Sequence, residues 1–143
     1  METDLYLPNE TADGFLVEQE TVEASAQGIV DALIANGVVP EGTAVEAFSL
    51  ENDGTETREG DVVRYEVGET SIALDLSEEF LAAVAETGTT GETMVLGSLV
   101  NTMLTAYNAE TLTLTCGGAA VETGHVVYDR PLSFFDLPCT QSE

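Results

Sequence analysis

Between Glu92 and Tyr107 the chain places Val95, Leu96, Leu99, Val100, Met103, Leu104 and Tyr107 at intervals of three and four. Residues so spaced share one face of an α-helix, and a stripe this broad is stable only when another layer covers it. The flanking segments have the other period. Thr70 to Leu76 alternates, with Ile72, Leu74 and Leu76 on one side, and Thr111 to Cys116 alternates again after Asn108 ends the helix. A strand, a long helix and a second strand in this order define the centre of the fold.

The remaining segments extend that centre. Residues 4 to 8 and Phe15 to Val22 read as strands of a hairpin, joined by the turn-forming stretch Asn9 to Gly14. From Val22 to Ala35, Val22, Ala26, Ile29, Val30, Leu33 and Ile34 mark a first helix, which Asn36-Gly37 stops. Ala44 to Leu50 and Val62 to Val67 read as strands on either side of a long polar hairpin loop, residues 51 to 61, containing Asp53-Gly54. Ser77 stands where an N-cap precedes a short helix from Glu78 to Ala85, and Thr87 to Gly91 reads as the linker to the long helix. Gly117-Gly118 turns the chain into residues 119 to 130. Phe134 and Phe135 are expected to pack back before the end frays.

The predicted architecture is α+β: a two-layer sandwich in which a mixed sheet of four to six strands carries two main helices on one face. Such an arrangement leaves the other face, or a sheet edge, open to a neighbour. With 143 residues the chain closes one core, and its 43% hydrophobic content rules out an acidic disordered tail. The predicted domain spans residues 4–133, followed by a C-terminal tail, 134–143.

Charge excludes whole classes of partner. Asp and Glu number 27 against Arg58, Arg64 and Arg130, lysine is absent, and the formal net charge is -24. Nucleic acids and anionic membrane surfaces are repelled by such a surface. General solubility accounts for the acidity more simply than a basic partner or a cation-rich wall does. No stretch reaches the roughly 18 apolar residues of a spanning helix. A strand that starts almost at Met1 is what a chain without its natural leader would present.

No active site can be assembled from the residues. His125 is the sole histidine, and Ser98 lacks the Gly-x-Ser-x-Gly surroundings of a nucleophile elbow. Carboxylates abound, but there is no tryptophan and only 6% aromatic residues to build a sugar platform. Aligning Gly54 with the glycine of a calcium loop puts Ser49 and Gly60 at the anchoring positions, where carboxylates are needed. The glycines at 37, 42, 54, 88, 91 and 117 to 118 all suit turns, and none opens a phosphate-binding helix. Cys116 and Cys139 could bridge or remain free, with Cys116 filling a small core position. No catalytic, cofactor-binding or metal-ligating residue is therefore predicted, and no cofactor.

Leu5-Tyr6-Leu7-Pro8, the junction Leu74-Asp75-Leu76-Ser77-Glu78-Glu79-Phe80, Leu99-Val100-Asn101-Thr102-Met103-Leu104, the strand Leu112 to Cys116 and its Gly-Gly turn together resemble the GerMN (sporulation and spore germination) domain family. The likeness in order and spacing runs from residue 4 to about 133. Met103 stands where the family usually has leucine, a volume-conserving exchange. The resemblance implies a small, non-enzymatic domain of lipoproteins and membrane-anchored proteins outside the cytoplasmic membrane, especially in endospore-forming Gram-positive bacteria. It further implies action through protein partners of the cell envelope, with homo-oligomers among the arrangements seen in similar ring-building domains. Contact with the membrane would be only through an N-terminal anchor. Asn101 and Thr102 are expected to tie the long helix to neighbouring backbone rather than to form a site. The second reading is a module binding cell-wall material or a small ligand.

Overall fold

Alternating polar and apolar residues at the start of the chain form a hairpin: β1 (Glu2–Pro8) and β2 (Phe15–Thr21) pair antiparallel, with Leu5 opposite Glu18 and Pro8 opposite Phe15. The turn is held by its own side chains, the Asp13 amide donating to Asn9 Oδ1 at 3.2 Å and Asn9 Nδ2 donating to Asp13 Oδ1 at 3.0 Å. The computed structural model describes residues 2–51, 56–59, 62–65, 70–85, 88–123, 127–128 and 130–141.

Helix α1 (Ala26–Ala35) starts later than its apolar spacing predicts. Ser25 takes an extended backbone and its Oγ accepts from the Gly28 amide at 2.9 Å, so the cap chooses the first turn. Val22 is buried all the same, from the connecting segment. β3 (Val45–Glu51) follows. The predicted exposed loop 51–61 is partly regular: β4 (Glu56–Glu59) pairs antiparallel with β5 (Val62–Tyr65), setting Glu59 opposite Val62. The Asp53-Gly54 turn, Gly60 and the expected end of the strand at residues 66 to 67 lie outside the described residues. Backbone pairing rewards β4 even where polarity signals a loop.

β6 (Ser71–Leu76) leads through Ser77 into α2 (Glu78–Ala85), and α3 (Gly88–Tyr107) then runs 20 residues. Residues 88 to 91, read as linker, belong to α3. A first helical turn has no intrahelical partners for its amides, so weak helix formers are tolerated there. β7 (Thr111–Cys116) returns parallel to β6, in register from Ser71 opposite Thr111 to Leu76 opposite Cys116. Two glycines with left-handed backbone, Gly117 (φ 61°) and Gly118 (φ 84°), turn it into β8 (Ala119–Glu122). β9 (Val127–Tyr128), β10 (Leu132–Ser133) and β11 (Cys139–Gln141) complete the order.

The fold is α+β. Its main sheet runs β3-β6-β7-β8-β9, with β10 paired to β7; all pairings are antiparallel except β6 with β7. The face bearing Ile72, Leu74, Leu76, Leu112 and Leu114 is buried in the core with Phe80 of α2 and Leu96, Leu99, Val100 and Met103 of α3. Ring contact between Phe48 of β3 and Tyr107 of α3, at 4.8 Å between centroids, joins sheet to helix. The hairpin stands in a separate three-stranded sheet, β1-β2-β11.

The C-terminal segment, expected to fray, instead supplies β11, which pairs parallel with β2 as Cys139 opposite Phe15. The amide of Phe15 donates to the Pro138 carbonyl at 2.8 Å. Gly97 permits a close approach on α3: a Cβ there would lie 2.6 Å from Phe15 Cζ and 2.9 Å from Phe135 Cδ2.

Candidate functional site

Among the described residues, polar side chains gather on one flank of α3, at the junction of β6 with α2 and on the outer face of the main sheet, besides the Asn9–Asp13 turn.

On α3 the spacing predicts one apolar stripe, yet the helix is buried nearly all round. Ser98, Asn101 and Thr102 are each 0% exposed. At three- and four-residue intervals they share a flank, and β1 and the C-terminal segment lie against it. Ser98 Oγ donates to the Tyr6 carbonyl, and the Tyr6 amide donates to Thr102 Oγ1 at 3.0 Å. Asn101 Nδ2 donates to the Phe135 carbonyl at 3.1 Å while its Oδ1 accepts from the Phe135 amide at 2.7 Å. A side-chain amide here substitutes for a strand partner. The expectation that Asn101 and Thr102 tie the helix to neighbouring backbone matches this geometry, and Ser98 belongs to the same set.

At the β6–α2 junction, Ser77 Oγ accepts from the Ala44 amide at 2.9 Å and donates to the Gly42 carbonyl at 3.3 Å. Asp75 accepts from Thr115 Oγ1 at 2.7 Å and from the Gly118 amide at 2.9 Å. These bonds, Thr115's first, hold its carboxyl below the usual carboxylate range. Glu79 is lowered as well, by its own backbone amide and then by the Ser77 hydroxyl. Both groups are thus ionised at neutral pH. With Glu46 and Glu78 they line an open cleft of about 600 Å³, and among the described residues of its lining none is basic.

The outer face of the main sheet carries Ser71, Ala73, Thr111, Thr113 and Thr115, exposed or half-buried. Thr111 Oγ1 donates to Ser71 Oγ at 3.2 Å across the parallel pair. A shallow groove of about 370 Å³ crosses this face, floored by Ala47, Ala73 and Thr113 and bounded by Asp75.

One buried carboxylate escaped the sequence reading. Glu92, 1% exposed in α3, accepts from the Tyr128 hydroxyl at 2.7 Å, which fastens β9 to the helix. Burial, then the bond to Glu92, raises the phenol's pKa above its ordinary value. The available signal was a single acid at the head of an apolar segment. Both cysteines are free. Cys116 is buried, and desolvation followed by the charge of Asp75 pushes its thiol up to about 11; Cys139 is exposed and also raised, by partial burial and then Asp136. Neither is primed as a nucleophile. His125 lies outside the described residues. Among the described residues no grouping of His, Cys, Asp and Glu has the arrangement of a metal centre, and no helix is long and apolar enough to cross a membrane.

No family model matches the chain, and no curated protein matches it. Among solved structures it is similar to the tandem GerMN domains of the sporulation protein GerM from Bacillus subtilis, with a TM-score of 0.60 and 18% identity over 93% of this chain and 46% of that one. It is similar also to the first GerMN domain of that protein, with a TM-score of 0.55 and 18% identity over 93% of this chain and 94% of that one. The chain spans less than half of the tandem structure and nearly all of the single domain. Its fold is that of a GerMN domain.

Proposed function

We propose that this chain is a non-enzymatic interaction domain of the cell envelope, acting outside the cytoplasmic membrane as part of a lipoprotein or membrane-anchored protein, with a role tied to sporulation or spore germination. One observation carries the reading: Ser98, Asn101 and Thr102, buried together on one flank of α3, each bond to backbone of the chain itself, and the buried Glu92 accepts from the Tyr128 hydroxyl. They hold the fold and leave nothing to a substrate. The open sheet face is available for contacts, and the likeness to domains of a sporulation protein supports the setting.

Work of this kind proceeds through protein partners, with no nucleic acid and no membrane contact beyond an anchor. Self-repulsion at a net charge of -24 opposes tight homo-oligomers in dilute buffer, and salt or divalent cations relieve it. A cell-wall or small-ligand binding module is the second reading, favoured by the acidic cleft at the β6–α2 junction.

Sedimentation velocity over a concentration series, at low and high salt and with and without millimolar calcium, tests homotypic assembly. Oligomers that grow with concentration once charge is screened are the expected result for a scaffold; a monomer under every condition removes self-assembly and assigns the role to a different partner. Fractionation of source cells tests the location. The protein is expected with the membrane and wall, and its recovery in the cytosol overturns the envelope reading.

A further inference from the structure

We propose that the outer face of the main sheet, together with the cleft that opens beside Asp75, docks an extended segment of a protein partner bearing lysine or arginine. The proposal rests on the interaction-domain reading and names the chemistry of the partner.

The surface has two joined parts. Its floor, Ala47, Ala73 and Thr113, has no side chain larger than threonine, so an extended backbone can lie close to the sheet. At one end Asp75 belongs to both the groove and the cleft, where Glu46, Glu78 and Glu79 stand with it. The aliphatic stem of a lysine or arginine fits the shallow floor while its cationic head reaches the carboxylates, the division of labour such side chains usually adopt.

Charge selects this occupant over others. The chain has no lysine and three arginines, Arg58, Arg64 and Arg130, against 27 Asp and Glu, and none of the described residues lining the cleft is basic, so its carboxylates favour a cation brought by a partner. A second copy would bring the same acidic end, and nucleic acid or an anionic membrane more negative charge. A divalent metal requires six to eight oxygens gathered at about 2.3 to 2.6 Å for calcium, and the described residues contain no such grouping. Carboxylates spread around a rim suit cations carried on flexible arms.

The sheet edge explains why the face, rather than strand addition, is used. Beside this surface β3 is an outer strand, but its register with β6 shifts between Val45 and Ala47, and the Val45 amide is already taken by Gln27 Oε1 at 2.7 Å. A bulge and an occupied donor blunt that edge against a further strand.

The probe is a fluorescein-labelled, acetylated octapeptide of alternating lysine and alanine, titrated by anisotropy at about 0.15 M salt, where interactions beyond roughly 8 Å are screened. Any basic peptide is drawn to so acidic a chain, so two double variants that remove equal charge are compared. Glu46→Gln with Glu78→Gln neutralises the cleft; Glu10→Gln with Asp136→Asn neutralises exposed carboxylates near the hairpin and the C-terminal segment. The first pair is expected to weaken binding roughly tenfold and the second less than about twofold. Amide shift mapping with the same peptide is expected to move Ala47, Ala73 and Thr113. Equal losses in the two pairs, shifts scattered over the surface, or no saturable binding by the unaltered chain would overturn the proposal. Such a failure is distinct from failure of the interaction-domain reading, because sedimentation and fractionation do not use this peptide.

Discussion

Of the sheets that pack against α3, the main sheet and the hairpin's sheet hold it by different physical means. Toward the main sheet the helix presents Leu96, Val100, Met103 and Tyr107, one helical face by their spacing, with Tyr107 against Phe48. On the flank toward β1 and the C-terminal segment it presents Ser98, Asn101 and Thr102, whose side chains bond to the backbone of Tyr6 and Phe135. Apolar contact is non-directional and contributes in proportion to area, so it supplies stability without fixing register. Hydrogen bonds to single backbone groups are directional, and a buried group left without its partner is costly. The first interface thus accounts for cohesion. The second determines where the edge strand and the C-terminal segment lie.

The largest effect should come from breaking the apolar interface. Leu74→Ala removes a side chain that is 1% exposed and is expected to cost about 2–5 kcal/mol, read from the shift of the urea midpoint at unchanged slope. A loss below about 1 kcal/mol would mean that this interface is not the source of cohesion. Asn101→Ala strikes the directional side. It strands both backbone groups of Phe135 and is expected to cost about 1–3 kcal/mol, with the Phe135 amide exchanging rapidly while amides of β6 and β7 stay protected. Uniform loss of protection would merge the two interfaces into one.

Thr102→Val keeps the shape and deletes a single acceptor. About 1 kcal/mol or slightly more should be lost, with enhanced exchange confined to the neighbourhood of the Tyr6 amide. The smallest effect concerns acid. Asp75 has its folded-state pKa lowered by Thr115 and Gly118, so its contribution is complete above the ordinary carboxylate value of 3.8 and is lost as pH falls through the folded value. Asp75→Asn should flatten the acid limb of the stability profile, and an unchanged limb would show that the two bonds do not favour the carboxylate. The side chain is half-buried at the surface, where solvent screening keeps this effect small.

Much of the main sheet was legible because period and burial agree in it. Ile72, Leu74 and Leu76 alternate in sequence and are all buried, and Ser77 stands at the β6–α2 junction where its neighbours place it, although its Oγ accepts from the Ala44 amide. Period failed where long-range partners decide. Polarity marks residues 51 to 61 as a loop, but β4 finds β5, and Cys139–Gln141 becomes a strand only because β2 offers an unpaired side. At the candidate docking surface the sequence showed an excess of acid and an open sheet face, but not that Glu46 and Asp75 meet at one cleft, because the register of β3 with β6 brings them together.

By itself, the sequence determined the order of the central strands and helices, the apolar faces of α3, β6 and β7, and a strongly acidic composition. Those properties are local: periodicity and charge are read along the chain without knowing what lies across from it. Tertiary structure alone decided that Ser98, Asn101 and Thr102 are buried, that the C-terminal segment joins the hairpin's sheet, and that carboxylates from β3, β6 and α2 share a cleft. A hydrogen bond or an accumulation of charge depends on distance between elements, and that distance exists only once the layers have packed.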